Sequence, residues 1–449
     1  NEMLSRSPTN LTFAAALTMA TLSCAVALAQ EEPEQQAPAA LSMSAAVEYG
    51  LEHNPELQAA RREKTAAQNE VGFARRERVP RLDAVFAGRY ESIPRAVIEM
   101  APAGRYDQDR IFGKGIFTLD AVFTVPLYTG GRIPANIRRA ELERDIADDF
   151  VARVADNLVY EIKRTYLTIL QQDKTIEATQ KSIEALTETQ RIMREFREVG
   201  KVPSLDLYRV DSQLADVKAD LAEEQAERRT LLAELRALLG WTASDGPELT
   251  GELSYEPVDI NLQERLERAL ETNPAYAAAK RRVARQRQIV RIAEADLKPQ
   301  LSLSGFGGTA TSQTGPPIDR LGLRMMASQY LFDGGRQRAM VRAERQRLSK
   351  EEELLQQTGL DLTAEVETAI NDAEDAAARV EALETALDEA REALRLEQLK
   401  YAQGKGLAND VLLAQAKLLD VEVGYYRALC DYGIALAALD RAVGRTTPQ

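Results

Sequence analysis

Histidine, cysteine, aromatic residues and long apolar runs are all scarce in this chain of 449 residues, and each scarcity excludes something. There is one histidine, His53, and the two cysteines are Cys24 and Cys430. Cys24 falls in an N-terminal leader, so Cys430 stands alone in the remaining chain and neither a disulfide nor a cysteine metal site can form within it. No G-x-S-x-G elbow, P-loop or metal-ligand spacing is present, so nothing assembles for nucleophilic, metal or phosphoryl chemistry. The chain is therefore not expected to be an enzyme, and no cofactor is expected. Positive charge is also in deficit: 57 Lys and Arg against 70 Asp and Glu give a net charge of −13, which excludes nucleic acid as a natural partner. Past the leader no apolar run approaches the roughly 20 residues of a spanning helix. If the chain enters a membrane, it enters as strands.

What is abundant is Ala, Leu, Glu, Arg and Gln, the composition of long helices and coiled coils. Arg6, the apolar run Leu11 to Ala29 and the Ala27-Leu28-Ala29 tripeptide read as a secretory signal peptide over residues 1–29. Thr21-Leu22-Ser23-Cys24 is a poor lipobox. Residues 30–40 read as a disordered polar tail.

A helix is expected from Ser44 to Gly50 and another from Pro55 to Arg78, stopped by Pro80. Strands are expected at 82–90 and 116–126, with a long loop over 91–114. Phe117, Leu119, Ala121, Phe123 and Val125 alternate with period two, and from Ile133 the period becomes helical. The switch is Gly130-Gly131-Arg132, where the glycines free the backbone and Pro134 suits a first helical turn. The long helix should run to Val199, roughly 100 Å at 1.5 Å per residue. Gly200-Lys201-Val202-Pro203 breaks it, Ser204 is a candidate N-cap, and a return helix runs over 205–239. Leu207, Val210, Leu214, Val217 and Leu221 form a heptad seam, so the two helices should pair as a coiled-coil hairpin.

The plan then recurs. Asn54-Pro55 and Pro80 return 219 residues later as Asn273-Pro274 and Pro299; Gly130-Gly131-Arg132, Gly200-Lys201, Asp206 and Gly240 return 204 residues later as Gly334-Gly335-Arg336, Gly404-Lys405, Asp410 and Gly444. The difference places an indel in the strand hairpin and leaves the helical hairpins equal. This divides the chain into a first structural repeat (41–240), a connector (241–261), a second repeat (262–444) and a short tail (445–449). Strands of the second repeat are expected at 300–306 and 321–331. Thr118, Asp120, Thr124, Ser302, Ser304, Arg324 and Ser328 form a polar set alternating with an apolar one. Four strands cannot close a barrel, and open edges cannot face lipid; three copies would supply twelve strands around a polar lumen. The competing reading is an exported periplasmic coiled-coil scaffold, which needs neither alternating strands nor the repeated Gly-Gly-Arg switch.

From Leu41 to Gly444 the chain resembles the TolC-like outer-membrane efflux protein family. The resemblance rests on Ala-Leu-Glu-Thr-Asn-Pro at 269–274, the Leu-Tyr-Thr-Gly-Gly-Arg and Leu-Phe-Asp-Gly-Gly-Arg turns, and Tyr401-Ala-Gln-Gly-Lys-Gly-Leu-Ala-Asn-Asp-Val-Leu-Leu-Ala-Gln, in order and in duplicate. It implies a mixed, mostly helical fold and a homotrimer with a twelve-stranded barrel in outer-membrane lipid above a periplasmic α-helical tunnel. It also implies partners: a periplasmic adaptor protein and an inner-membrane transporter, with passive passage of drugs, metals or polypeptides in efflux or type I secretion. Gly200, Lys201, Gly404 and Lys405 match the tunnel tips that meet the adaptor. Asp410 matches an acidic constriction position, with Leu413 where some members carry a second acid. Asp206 and Tyr401 match a hydrogen-bonded pair that holds the tip shut, and Gly406 stands where the best-known member has a basic residue. Asp206 and Asp410 also sit where an acid favours a helix N-terminus whatever the function.

Overall fold

The computed structural model describes residues 40–96, 112–198, 203–242, 248–258, 261–312, 315–403 and 405–444. The expected signal peptide (1–29), all but Ala40 of the expected tail, and Gly200, Lys201 and Gly404 of the expected turns lie outside the described residues.

The first half of the chain contains β1 (Ala40–Leu41), α1 (Met43–His53), α2 (Pro55–Arg76), β2 (Arg81–Ala96), β3 (Phe112–Tyr128), α3 (Arg132–Glu198) and α4 (Ser204–Leu239). The second contains β4 (Glu248–Leu249), α5 (Leu262–Thr272), α6 (Pro274–Ala295), β5 (Gln300–Ser312), β6 (Gly315–Ser328), α7 (Arg336–Ala402) and α8 (Ala408–Val443). Helix lengths are 11, 22, 67 and 36 residues in the first half and the same four values in the second.

The Asn-Pro breaks have a physical role. Asn54 accepts from the Leu57 amide to cap α2, and its amide group donates to the Leu238 carbonyl at the end of α4, 2.8 Å away. Asn273 caps α6 through the Ala275 and Tyr276 amides and donates to Ala442 in α8 at 3.0 Å. Each short-helix elbow is thereby tied to the end of a long hairpin. Buried Leu41, Leu57, Ile162, Tyr166, Ile169, Leu235 and Leu239 make the largest core cluster around the first elbow. A separate apolar cluster joins Leu186 and Met193 of α3 to Leu207, Val210, Leu214 and Val217 of α4, four positions of the expected heptad seam.

Four strands form one antiparallel sheet in the order β2-β3-β5-β6. Several boundaries differ from expectation. The loop over 91–114 is too long: β2 continues to Ala96 and β3 begins at Phe112, with a register shift between Tyr90 and Arg95 that absorbs Pro94. Proline and charge broke the alternation in sequence, but the ladder resumes beyond the irregularity. β5 extends to Ser312, and β6 ends at Ser328, so Tyr330 and Leu331 belong to the following turn. α2 stops at Arg76 and leaves its last expected residues in a turn. Ser204 is the first helical residue rather than the cap; Pro203 occupies the cap position and makes no side-chain bond. The connector holds β4, which pairs in parallel with β1, so Ala40 is a strand residue and not tail. The Tyr166 hydroxyl lies 3.0 Å from both the Leu41 and Thr250 carbonyls and fastens this bridge to α3.

Candidate functional site

Three features carry the functional reading: the two strand-to-helix joints, the faces of the sheet, and the end of the helical hairpins.

At the joints Gly130, Gly131, Gly334 and Gly335 have φ of +64°, +96°, +67° and +86°. Side chains with a Cβ resist this left-handed region, so both switches from strand to helix depend on the glycine pair. Arg132 and Arg336 are the first residues of α3 and α7. Each new helix has free amides, and a side chain four or fewer residues back meets them. Thr129 accepts from the Ile133 amide at 3.3 Å. Asp333 accepts from the amides of Gly335 (2.9 Å) and Gln337 (2.8 Å). The bond from Gln337 is the main reason the Asp333 carboxyl is held below its ordinary pKa. Neither residue was singled out in sequence, although Thr/Asp immediately before a helix start is the ordinary capping signal.

Residues paired across a sheet face the same side. Asp120 pairs with Val85 and Gly308, Thr124 with Ser304, Ser304 with Arg324, and Gln300 with Ser328. All seven residues of the expected polar set therefore share one face. Asp120 and Arg320 meet there at 3.7 Å, with the guanidinium over the Phe306 ring. Gly308 lies between them; a Cβ at that position would press on the Leu119 carbonyl oxygen and the Asp120 carboxylate. The opposite face carries Leu82, Phe86, Tyr90, Phe117, Leu119, Phe123, Leu321, Leu323 and Met325, all exposed. A face so apolar is stable only against an apolar medium or partner, since each such side chain gains about 1.5–3 kcal/mol on leaving water. Among the described residues no helix is long and apolar enough to cross a membrane.

At the far end of the hairpins the structure brings Asp206 and Tyr401 near each other without a hydrogen bond. Tyr401, in the last turn of α7, packs on the α3–α4 apolar cluster, with the Phe196 ring 6.4 Å away. Its hydroxyl is buried and has no hydrogen-bond partner among the described residues. Burial, and secondarily the Asp206 charge, push the phenol pKa up. Asp206 pairs instead with Arg209, 3.5 Å away on its own helix. The expected latch bond is thus not formed: the carboxylate is held by its i+3 neighbour, at low cost in side-chain ordering. Asp410 occupies the first turn of α8 and makes no ion pair or side-chain hydrogen bond among the described residues; α4 and α8 both lack a side-chain cap. Lys405 is exposed, and its amide and that of Gly406 both donate to the Lys400 carbonyl, closing the turn. A Cβ on Gly406 would come 3.0 Å from the Tyr401 amide nitrogen, which explains a residue without a side chain there. Leu205, Tyr208, Leu407 and Leu413 are exposed around the same end. Among the described residues no group of His, Cys, Asp and Glu is arranged to hold a metal ion.

Comparison with known proteins agrees with this geometry. The family described as outer membrane efflux protein matches residues 47–241 and 266–445. Over 333 residues the chain is 24% identical to the cobalt-zinc-cadmium resistance protein CzcC of Cupriavidus metallidurans, spanning 74% of this chain and 78% of that protein. The CmeC outer membrane channel of Campylobacter jejuni superposes with a TM-score of 0.78 over 90% of this chain and 86% of CmeC, at 16% identity. The MtrE outer membrane channel of Neisseria gonorrhoeae, solved in an open state, superposes with a TM-score of 0.74 over 90% of this chain and 88% of MtrE, at 18% identity.

Proposed function

The chain belongs to the outer membrane efflux protein family, and from that premise we propose that it is the exit duct of a tripartite efflux or type I secretion assembly. Three copies would close twelve strands into a barrel in the outer membrane, and their long helices would form a tunnel through the periplasm. The two halves of the chain are read as copies of one plan, which the matched helix lengths support. Substrate passes without chemical change, handed over by a periplasmic adaptor and an inner-membrane transporter.

The observation that carries this reading is the sheet. One face is apolar and exposed, the other is polar, and both edge strands, β2 and β6, have an unpaired side. An open edge with a lipid-compatible face is tolerable only if further strands close it. A periplasmic spacer would gain nothing from such a sheet. Leu205, Tyr208, Leu407 and the Lys405 turn supply an exposed, partly apolar end suited to the adaptor. Asp206, Tyr401 and Asp410 form the constriction in this account. Three Asp410 carboxylates brought together by threefold symmetry repel one another and attract cations.

Membrane fractionation followed by native mass measurement in detergent tests the reading. It predicts an outer-membrane species of three chains. A soluble periplasmic monomer would contradict it and favour the scaffold reading.

A further inference from the structure

We propose that α7 of one copy is seated on α2 and α4 of a second copy, and that Glu353 pairs there with Arg62 of the second copy. The inference rests on the three-copy reading and adds which residues meet.

Helices α2, α3, α6 and α7 pack in that order, matching the strand order β2-β3-β5-β6. The central seam, α3 against α6, is made within the chain. α7 and α2 stand at the two ends of the row, and they have the lengths of α3 and α6, 67 and 22 residues. A seam of α7 on α2 would copy the central one, and only another chain can supply it.

At the central seam Arg281 forms an ion pair with Asp149 and donates to the Asp145 carbonyl at 3.0 Å. The Asn-Pro landmarks lie 219 residues apart and the Gly-Gly-Arg joints 204 apart. Carried over by those spacings, Arg281 becomes Arg62, Asp149 becomes Glu353 and Asp145 becomes Ser349. The charges stay complementary. Arg62 and Glu353 are both exposed, and neither has an ion pair or side-chain hydrogen bond among the described residues.

Further along, α3 meets α8 through Lys163 and Asp440, 3.6 Å apart. Their counterparts are Glu367 and Arg236 of the second copy. The signs exchange, yet the pair remains opposite. A seam of any other kind has no reason to preserve complementarity at both levels.

The joints add a steric argument. A Cβ on Gly130 would come 2.6 Å from the Ala295 carbonyl oxygen and 3.0 Å from the Lys298 Cβ, whereas one on Gly334 meets nothing within 4 Å. The counterpart surface for Gly334 is the Arg76 carbonyl and Val79 of the second copy. Leu331 and Phe332 are 92% and 91% exposed in the single chain, whereas their counterparts beside the central seam, Leu127 and Tyr128, are 50% exposed each, so seating there would cover part of both.

A charge-exchange cycle on the full chain tests the pair: Arg62→Glu, Glu353→Arg and the double variant, with circular dichroism to confirm equal folding. The readout is the dissociation rate of the detergent-extracted assembly in SDS at one fixed temperature. Each single reversal is expected to speed dissociation about tenfold or more, and the double variant to return to within about threefold of the parent. Unchanged rates in the singles, or no recovery in the double, with the parent still trimeric, would overturn the pairing and leave the duct reading standing. A parent that is not trimeric would overturn both.

Discussion

The Tyr401 hydroxyl is a donor buried in an apolar cluster with no hydrogen-bond partner among the described residues, beside a carboxylate that is already paired with Arg209. An unsatisfied buried polar group costs free energy that its removal returns. Tyr401→Phe is therefore predicted to raise thermal stability, by about 1 kcal/mol, followed by circular dichroism in detergent. A fall would mean that the hydroxyl gains a partner once three tips come together. Asp410 differs, because it makes no ion pair among the described residues and its expected role is electrostatic. Asp410→Asn is predicted to weaken block of the channel by multivalent cations; unchanged block would leave it a helix-terminus acid only. Cys430 is buried in α8, and that burial pushes its thiol up to about 11. It should resist maleimide at neutral pH and react only on unfolding. The positions of these residues were legible because the turn motif marks the end of a long helix. The missing hydrogen bond was not, since it depends on where a neighbouring helix places Asp206 and Arg209 relative to the ring.

At the scale of elements the two joints use one backbone solution with different caps, Thr129 and Asp333. Asp333 has a folded pKa below its unfolded value of about 3.9. Its contribution is present above that value and is lost as pH falls through the lowered one. Hydrogen-exchange protection, corrected for the intrinsic pH dependence of amide exchange, should therefore fall in acid in the first turn of α7, while in the first turn of α3, capped by a threonine that does not titrate, it changes less. Equal pH dependence at both would contradict this capping account. Gly130→Ala should destabilise more than Gly131→Ala: both incur the left-handed penalty of roughly 1–2 kcal/mol, but only the first Cβ strikes Ala295. The change of period at the glycine pairs made the joints and long helices readable to within a residue or two. β2 beyond Tyr90 was not readable, because Pro94 and nearby charges interrupt the alternation while the partner strand continues the ladder. The β1–β4 bridge is two residues long on each side and leaves no periodic trace at all.

For the whole molecule, the sheet is the decisive feature. Seven polar residues picked out by alternation fall on one face, and the other face leaves large apolar side chains uncovered. That division was legible because a strand's period is two. Pairing between chains leaves no periodicity in the sequence, so the proposed seam rests instead on comparison with the seams made within the chain. A duct closed from three such sheets would make a water-filled passage across a membrane. Current recordings on the purified assembly in planar lipid bilayers test it most directly. Discrete, reproducible conductance steps are predicted, reduced by multivalent cations added on the helical side; bilayers that stay silent with correctly inserted, trimeric protein, under conditions that relieve any closure at the tip, would contradict it.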